Sequence, residues 1–134
     1  MNAEPRKRAR RGADPRIGSS RDFEKALKGG VRRSGPGFAI VAAPNETGHS
    51  RLGFIVGAAC GNAVRRNRFR RLARECFRLH PTSFAGAKDF IVIARGRIQP
   101  RPTGELWSEL RRTAEAAGRE LDARASRPPP GGKP

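Results

Sequence analysis

One segment in the middle of the chain limits the fold more than any other. Between residues 65 and 78 it carries seven arginines and a single acid. Its apolar residues recur at the i, i+3, i+4, i+7 and i+8 positions of an amphipathic helix with one buried face. These residues are Phe69, Leu72, Ala73, Cys76 and Phe77. Asn62 is a suitable N-cap, and His80-Pro81 a suitable end. The segment therefore predicts a helix with a buried stripe and a strongly basic outer face.

The charge on this helix opposes its own stability. Arg66, Arg70, Arg74 and Arg78 form an i, i+4 ladder of like charges, and each such pair costs a few tenths of a kcal/mol, about 0.2–0.5. Arginines in the first turn also lie at the positive end of the helix dipole, which disfavours cations. Glu75 cannot neutralise the whole face. The alternative is a solvated face, but such faces normally mix both signs, so the pattern favours an external polyanion.

Length and composition agree with a small basic binding domain. The chain has 134 residues, a formal net charge of +17 and a pI of about 11.8. That charge favours nucleic acid or an anionic membrane as partner. A membrane is the weaker expectation, because no stretch approaches the ~20 apolar residues of a spanning helix and the N-terminus lacks an apolar signal core. We therefore expect a cytoplasmic protein with no membrane partner.

The residues that usually carry chemistry are few and scattered. Cys60 and Cys76 do not make a disulfide framework, and His49 and His80 have no metal-ligand spacing. No nucleophile elbow, Walker A lysine or dinucleotide-binding glycine pattern is present. The sequence predicts no catalytic residue, no metal site and no cofactor bound by the protein alone. Binding is the expected role.

The chain divides into one folded unit and two tails. Residues 1–18 hold six Lys or Arg residues and almost nothing apolar, which predicts a disordered basic arm. Residues 124–134 are rich in Pro and Gly and predict a disordered tail. A single RNA-binding domain should span residues 19–123.

Within the unit, helical and strand patterns alternate. A short helix should follow Ser19 or Ser20, and strand-length apolar runs cover residues 38–43 and 51–57. Residues 89–94 are apolar on both sides of the pleat, which predicts a central strand. A last helix should begin at Thr103 and bury one face, namely Trp107, Leu110, Ala114, Ala117 and Leu121. This order predicts an α/β fold of the α+β sandwich kind, a mixed sheet with helices packed on it.

Several side chains suit RNA. Arginine guanidinium groups match phosphate oxygens, and Asn62 and Asn67 add amide donors beside them. Phenylalanines can either form a core or stack on unpaired bases. Phe69, Phe77, Phe54 and Phe90 lie on core-like stripes, whereas both roles stay open for Phe23 and Phe38.

Residues 61–77 resemble the signature of the bacterial ribonuclease P protein component. That signature reads Gly-Asn-Ala-Val-x-Arg-Asn-Arg-x-Lys-Arg-x-x-Arg-Glu-x-Phe, and the chain departs from it only at Arg70, which replaces lysine. The resemblance extends over about residues 21–122. It implies an α-β-β-β-α-β-α sandwich with a left-handed strand–helix–strand crossover, against the usual right-handed rule. The third strand before the arginine helix would come from residues 31–34 or from splitting another strand.

The resemblance also implies a function. Family members are the small protein subunit of a ribonucleoprotein endoribonuclease that makes the mature 5′ end of tRNA. The partners implied are the catalytic ribonuclease P RNA, which holds the magnesium ions, and precursor tRNA, with one protein per RNA. Another RNA-binding structural protein, such as a ribosomal one, is the alternative. It would carry the same charge but would not need the long signature in register.

Carried over residue by residue, the resemblance implies two sets of contacts. The leader-binding cleft between the first helix and the sheet would use Phe23, Phe38 and Arg51. Leu27 and Val41 replace aromatic residues that relatives often have there, so stacking on the leader is an open question. The RNA-facing set on and beside the arginine helix would be Asn62, Arg65, Arg66, Asn67, Arg68, Arg70, Arg71 and Arg74.

Overall fold

A computed structural model describes residues 15–126, which form a four-stranded sheet flanked by three α-helices. The order α-β-β-β-α-β-α confirms the expected fold class. Helices begin where the sequence predicts, at the N-caps Ser19 and Asn62. The elements are α1 (Ser20–Gly29), β1 (Val31–Gly35), β2 (Phe38–Pro44), β3 (Arg51–Ile55), a 3-10 turn (Ala58–Cys60), α2 (Ala63–Leu79), β4 (Lys88–Ala94) and α3 (Thr103–Ser126). None of the helices within these residues is long and apolar enough to cross a membrane.

The sheet is mixed, with strand order β1-β2-β4-β3. β2 pairs antiparallel with β1 and with β4, whereas β3 and β4 are parallel neighbours joined through α2. The expected central position of β4 is confirmed, and Phe90 and Ile91 on opposite faces of that strand are both fully buried. The arginine-rich helix α2 therefore lies in the connection between two neighbouring parallel strands.

Helices cover the two faces of the sheet unequally. α2 and α3 pack on one face against a core that includes Phe38, Ile40 and Phe90. α1 packs on the other face over a smaller cluster around Val41 and Ile91. Because side chains alternate along a strand, neighbouring residues of β2 belong to different cores.

The folded unit extends beyond the predicted boundaries at both ends. Ile17 N donates to Leu52 O at 3.2 Å, and Leu52 N donates to Pro15 O at 2.8 Å, so residues 15–17 pair in parallel with the outer edge of β3. Ile17 is buried against α1. At the other end α3 continues to Ser126. Placing residues 15–18 in the arm and 124–126 in the tail was therefore wrong, while residues 1–14 and 127–134 of those two predictions lie outside the described part.

Candidate nucleic-acid interface

The start of α2 is built by two adjacent residues. Gly61 has φ of 142°, a conformation that a residue with a Cβ rarely adopts. Asn62 then caps the helix, its Oδ1 accepting from the Arg65 backbone N at 2.9 Å. The cap satisfies one of the free amide groups at the end of a helix whose first turn holds no acid. The side-chain Oδ1 of Asn62 therefore has a structural role as the helix cap, while its side-chain Nδ2 can still donate a hydrogen bond.

The predicted buried stripe holds α2 against the core. Phe69, Ala73 and Cys76 are buried, and Leu72 and Phe77 are half-buried. Trp107 on α3 donates from its indole Nε1 to the backbone oxygen of Leu72 at 2.9 Å. This contact and the apolar stripe orient the helix, so its polar residues face away from the sheet.

The arginines of the ladder do not all project freely. Arg66 Nε donates to Gly61 O at 3.0 Å, and Arg70 Nη1 donates to Asn67 Oδ1 at 2.7 Å. The guanidinium carbon of Arg74 lies 5.4 Å from the centre of the Phe54 ring, in cation–π contact. Each contact orients a guanidinium group while leaving donors for an external acceptor.

Arg68 and Arg71 are different. Both are exposed, and within residues 15–126 neither makes a hydrogen bond or an ion pair. Glu75 is the acid nearest to them in sequence, and its Oε1 accepts a hydrogen bond from Arg78 Nη2 at 2.7 Å. Two unneutralised guanidinium groups one helical turn apart are suited to neighbouring phosphates of a nucleic-acid backbone.

Arg65 extends the basic surface beyond α2. Its Nη1 donates to Ile98 O at 3.2 Å, which brings the loop after β4 beside the start of the helix. Arg97 and Arg101 of that loop consequently border the same cavity as Arg65 and Arg68. The RNA-facing set implied by the resemblance includes neither Arg97 nor Arg101. The signal that could have found them is the recurrence of arginine at residues 95, 97 and 101 directly after the central strand.

On the opposite face of the sheet, Phe23 of α1 rests on the backbone of β3. A Cβ at Gly53 would lie 2.7 Å from Phe23 Cε2, so the ring fits only because residue 53 is glycine. Phe23 remains partly exposed. It packs on the small core under α1, and stacking of its exposed part on a base stays a prediction.

Phe38 does not join Phe23, and the prediction that places it in the same cleft is wrong. Phe38 is only 1% exposed and packs in the core under α2 and α3. The reason is strand parity: Val41 and Ala43 point towards α1, so Phe38, an odd number of residues from Val41, points away. One ring therefore lies on each face of the sheet.

Arg51 is also not a free cation of that cleft. Its Nε and Nη2 donate to the two carboxylate oxygens of Asp89, both at 2.8 Å, and Nη2 also lies 3.3 Å from Asp22 Oδ2. The hydrogen bond to Asp89 is the main reason that the pKa of Arg51 is raised above its ordinary value. With a side chain only 11% exposed, Arg51 joins β3, β4 and α1 instead of facing a ligand.

The two positions where relatives often carry aromatic residues differ in access. Val41 is 2% exposed and Leu27 39% exposed. Ile55 at the end of β3 is similarly exposed, at 38%. An unpaired nucleotide approaching this face would therefore meet Phe23, Leu27 and Ile55, an apolar surface with a single aromatic ring.

The described residues offer no obvious metal-binding cluster. Between residues 15 and 126, no three His, Cys, Asp or Glu side chains gather closely enough to hold an ion. Cys60 and Cys76 are both buried with free thiols, and burial raises the pKa of the Cys76 thiol to about 11.

Comparison with known proteins gives one consistent result. The family model described as Ribonuclease P matches residues 13–118. The ribonuclease P protein component of Syntrophus aciditrophicus is 36% identical over 95 residues, covering 71% of this chain and 80% of the relative. A mutant of the Staphylococcus aureus RNase P protein superposes with a TM-score of 0.74 at 31% identity, covering 85% of this chain and 97% of the other. For the RNase P protein of Thermotoga maritima the TM-score is 0.66 at 27% identity, with 75% and 96% covered.

Proposed function

The chain belongs to the ribonuclease P protein component family, and we propose that it binds the catalytic RNA of ribonuclease P and assists 5′ maturation of precursor tRNA. In this proposal the RNA performs the cleavage with magnesium ions that it holds itself. The protein contributes binding groups and no catalytic side chain. It acts in the cytoplasm, and one protein binds each RNA.

The observation that carries the proposal is the outer face of α2. Arg68 and Arg71 are exposed without partners in the described part of the chain, and Arg65, Arg66, Arg70 and Arg74 are oriented beside them. A helix with this many like charges is stabilised when phosphates replace counterions around it. The RNA-facing set of the sequence thus forms one basic surface, with Asn62 and Asn67 as its polar members.

The precursor tRNA leader is assigned to the other face of the sheet. A single strand needs an apolar platform for bases and cations for phosphates. Phe23, Leu27 and Ile55 offer the platform, and the exposed Arg32 and Arg95 flank the same face of the sheet. With one aromatic ring available, leader contacts should be less dependent on stacking than on apolar contact and charge.

Reconstitution tests the proposal. Purified protein is mixed with the ribonuclease P RNA transcribed from the same genome and with a precursor tRNA, and 5′ cleavage is followed as magnesium is lowered. We expect the protein to accelerate cleavage most at low magnesium, where cations that hold two polyanions together are scarce. Protein without RNA should not cleave. Magnesium-dependent cleavage that scales with RNA-free protein would show that the catalytic groups belong to the chain.

A further inference from the structure

A cavity of about 520 Å³ opens between the first turns of α2 and the loop after β4. It lies on the α2 and α3 side of the sheet, away from α1. Its floor is apolar, formed by Phe38, Phe69 and Leu106, all less than 10% exposed. Its volume is within the range of about 300–1,000 Å³ that is typical of small-molecule sites. A floor of this kind favours a flat apolar group over a free anion.

The rim of the cavity is cationic. Arg65, Arg68, Arg97 and Arg101 line it. Among residues 15–126, the only carboxylate paired with any of them is that of Glu105, whose Oε2 lies 3.6 Å from Arg101 Nη1, and Arg68 and Arg97 make no hydrogen bond or ion pair. The rim therefore attracts anions while the floor excludes them.

The walls are fixed by hydrogen bonds between segments distant in sequence. Ile98 N donates to Cys60 O at 2.8 Å, and Ile98 O accepts from Arg65. At the other end of the loop, Arg101 Nη2 donates to Pro36 O at 3.2 Å. A site built from three segments is largely preformed, which lowers the ordering cost of binding.

We propose that this cavity receives one unpaired nucleobase of the ribonuclease P RNA. A nucleobase is a planar group with apolar faces, and phosphates lie on both sides of it along the strand. The apolar floor would contact the base while the guanidinium groups of the rim bind the flanking phosphates or stack on the ring. The cavity is continuous with the α2 surface through Arg65 and Arg68. The inference rests on the proposed function and adds to it the recognition of a single extruded base.

A crosslink locates the base. Gln99 lies on the exposed rim, and a Gln99→Cys variant carries a surface thiol while Cys60 and Cys76 are buried. The raised pKa of the Cys76 thiol further reduces its reactivity. With an azidophenacyl group on residue 99, we expect crosslinks to one short unpaired segment of the RNA. In the complex with the unmodified chain, one base of that segment should be protected from dimethyl sulfate or a carbodiimide.

A double-mutant cycle then tests whether the cavity holds that base. Leu72→Ala removes part of the lining, and Leu79→Ala is the matched control, an exposed leucine on the same helix. Removing the base from the RNA should weaken binding to the unmodified protein roughly 5- to 100-fold. With Leu72→Ala the same abasic change should cost much less, and with Leu79→Ala it should cost the full amount. Arg97→Ala repeats the cycle with an exposed residue, with Arg119→Ala as its control, should Leu72→Ala lower the melting temperature.

The outcomes separate this inference from the proposed function. Crosslinks to precursor tRNA, or to helical RNA only, would overturn the inference. So would an abasic change that costs nothing, or that costs the same in every variant, while salt-sensitive RNA binding persists. A chain that does not bind the ribonuclease P RNA at all would instead overturn the proposed function.

Discussion

Arg68, Phe69 and Arg71 lie within one turn of α2 and have opposite surroundings. The two arginines are exposed without partners among residues 15–126, whereas Phe69 is 6% exposed in the core. Side chains so close in sequence can therefore separate binding from folding.

We predict that Arg68→Ala and Arg71→Ala leave the free protein as stable as before, within about 0.5 kcal/mol, because no contact is lost. Each should weaken RNA binding by about 1.5–3 kcal/mol, as expected for a charge-assisted contact. Phe69→Ala should cost about 3–5 kcal/mol of folding free energy. Melting curves and RNA titrations of the three variants provide the measurement. Arginine variants that unfold as readily as Phe69→Ala would make these arginines structural.

Arg51 is a cation that is neutralised by ion pairs within the folded protein. Replacing it with alanine leaves the Asp89 carboxylate, whose side chain is 4% exposed, with Asn45 Nδ2 at 2.7 Å as its remaining side-chain donor among residues 15–126. We predict a loss of about 3–5 kcal/mol in the free energy of unfolding, the usual cost of breaking a buried ion pair. The control is Arg78→Ala at the exposed pair with Glu75, which should cost less than about 1 kcal/mol. Similar losses for both variants in urea titrations would contradict this view of Arg51.

The attachment of α1 depends on Gly53 in β3. An added Cβ would lie 2.7 Å from Phe23 Cε2 and 3.0 Å from Ile17 Cδ1, so the helix and the edge segment would both have to shift. We predict that Gly53→Ala lowers the free energy of unfolding by about 1–3 kcal/mol, as overpacking does. Gly57→Ala, where a Cβ meets nothing within 4 Å, is the control. Adding Phe23→Leu should restore part of the loss, and no restoration would show that the ring is not the obstacle.

The elements differ in how well their sequence predicts them. α2 is recognisable because the apolar spacing and the Asn62 cap are local signals. β1 was expected only through the family resemblance, since Val31 is its one buried residue and its other side chains are polar or glycine. The place of Phe38 depends on the parity of β2, and the partners of Arg51 depend on strand register. Both features depend on contacts between segments distant in sequence, which local patterns do not encode. The pairing of residues 15–17 with β3 is also such a contact, so the local sequence does not predict it.

Across the whole molecule, binding should follow the counterions that it releases. The formal net charge is +17, and if about six arginines meet phosphates, RNA affinity should fall roughly 10³-fold between 50 and 200 mM salt. Filter binding at four salt concentrations measures the slope. Arg71→Ala should reduce that slope by the contribution of about one phosphate contact, whereas Arg119→Ala should leave the slope unchanged. A nearly flat log–log plot would mean that the arginine surface is not where RNA binds.

The pairing of residues 15–17 with β3 has a consequence for self-association. A sheet grows by adding strands of other chains to its open edges. Here one edge is occupied by the chain's own backbone at Leu52, and the opposite edge, β1, presents the exposed cations Arg32 and Arg33. The β1 edges of two copies would therefore repel each other when the copies meet. Neither edge of the sheet therefore favours pairing with the sheet of another copy.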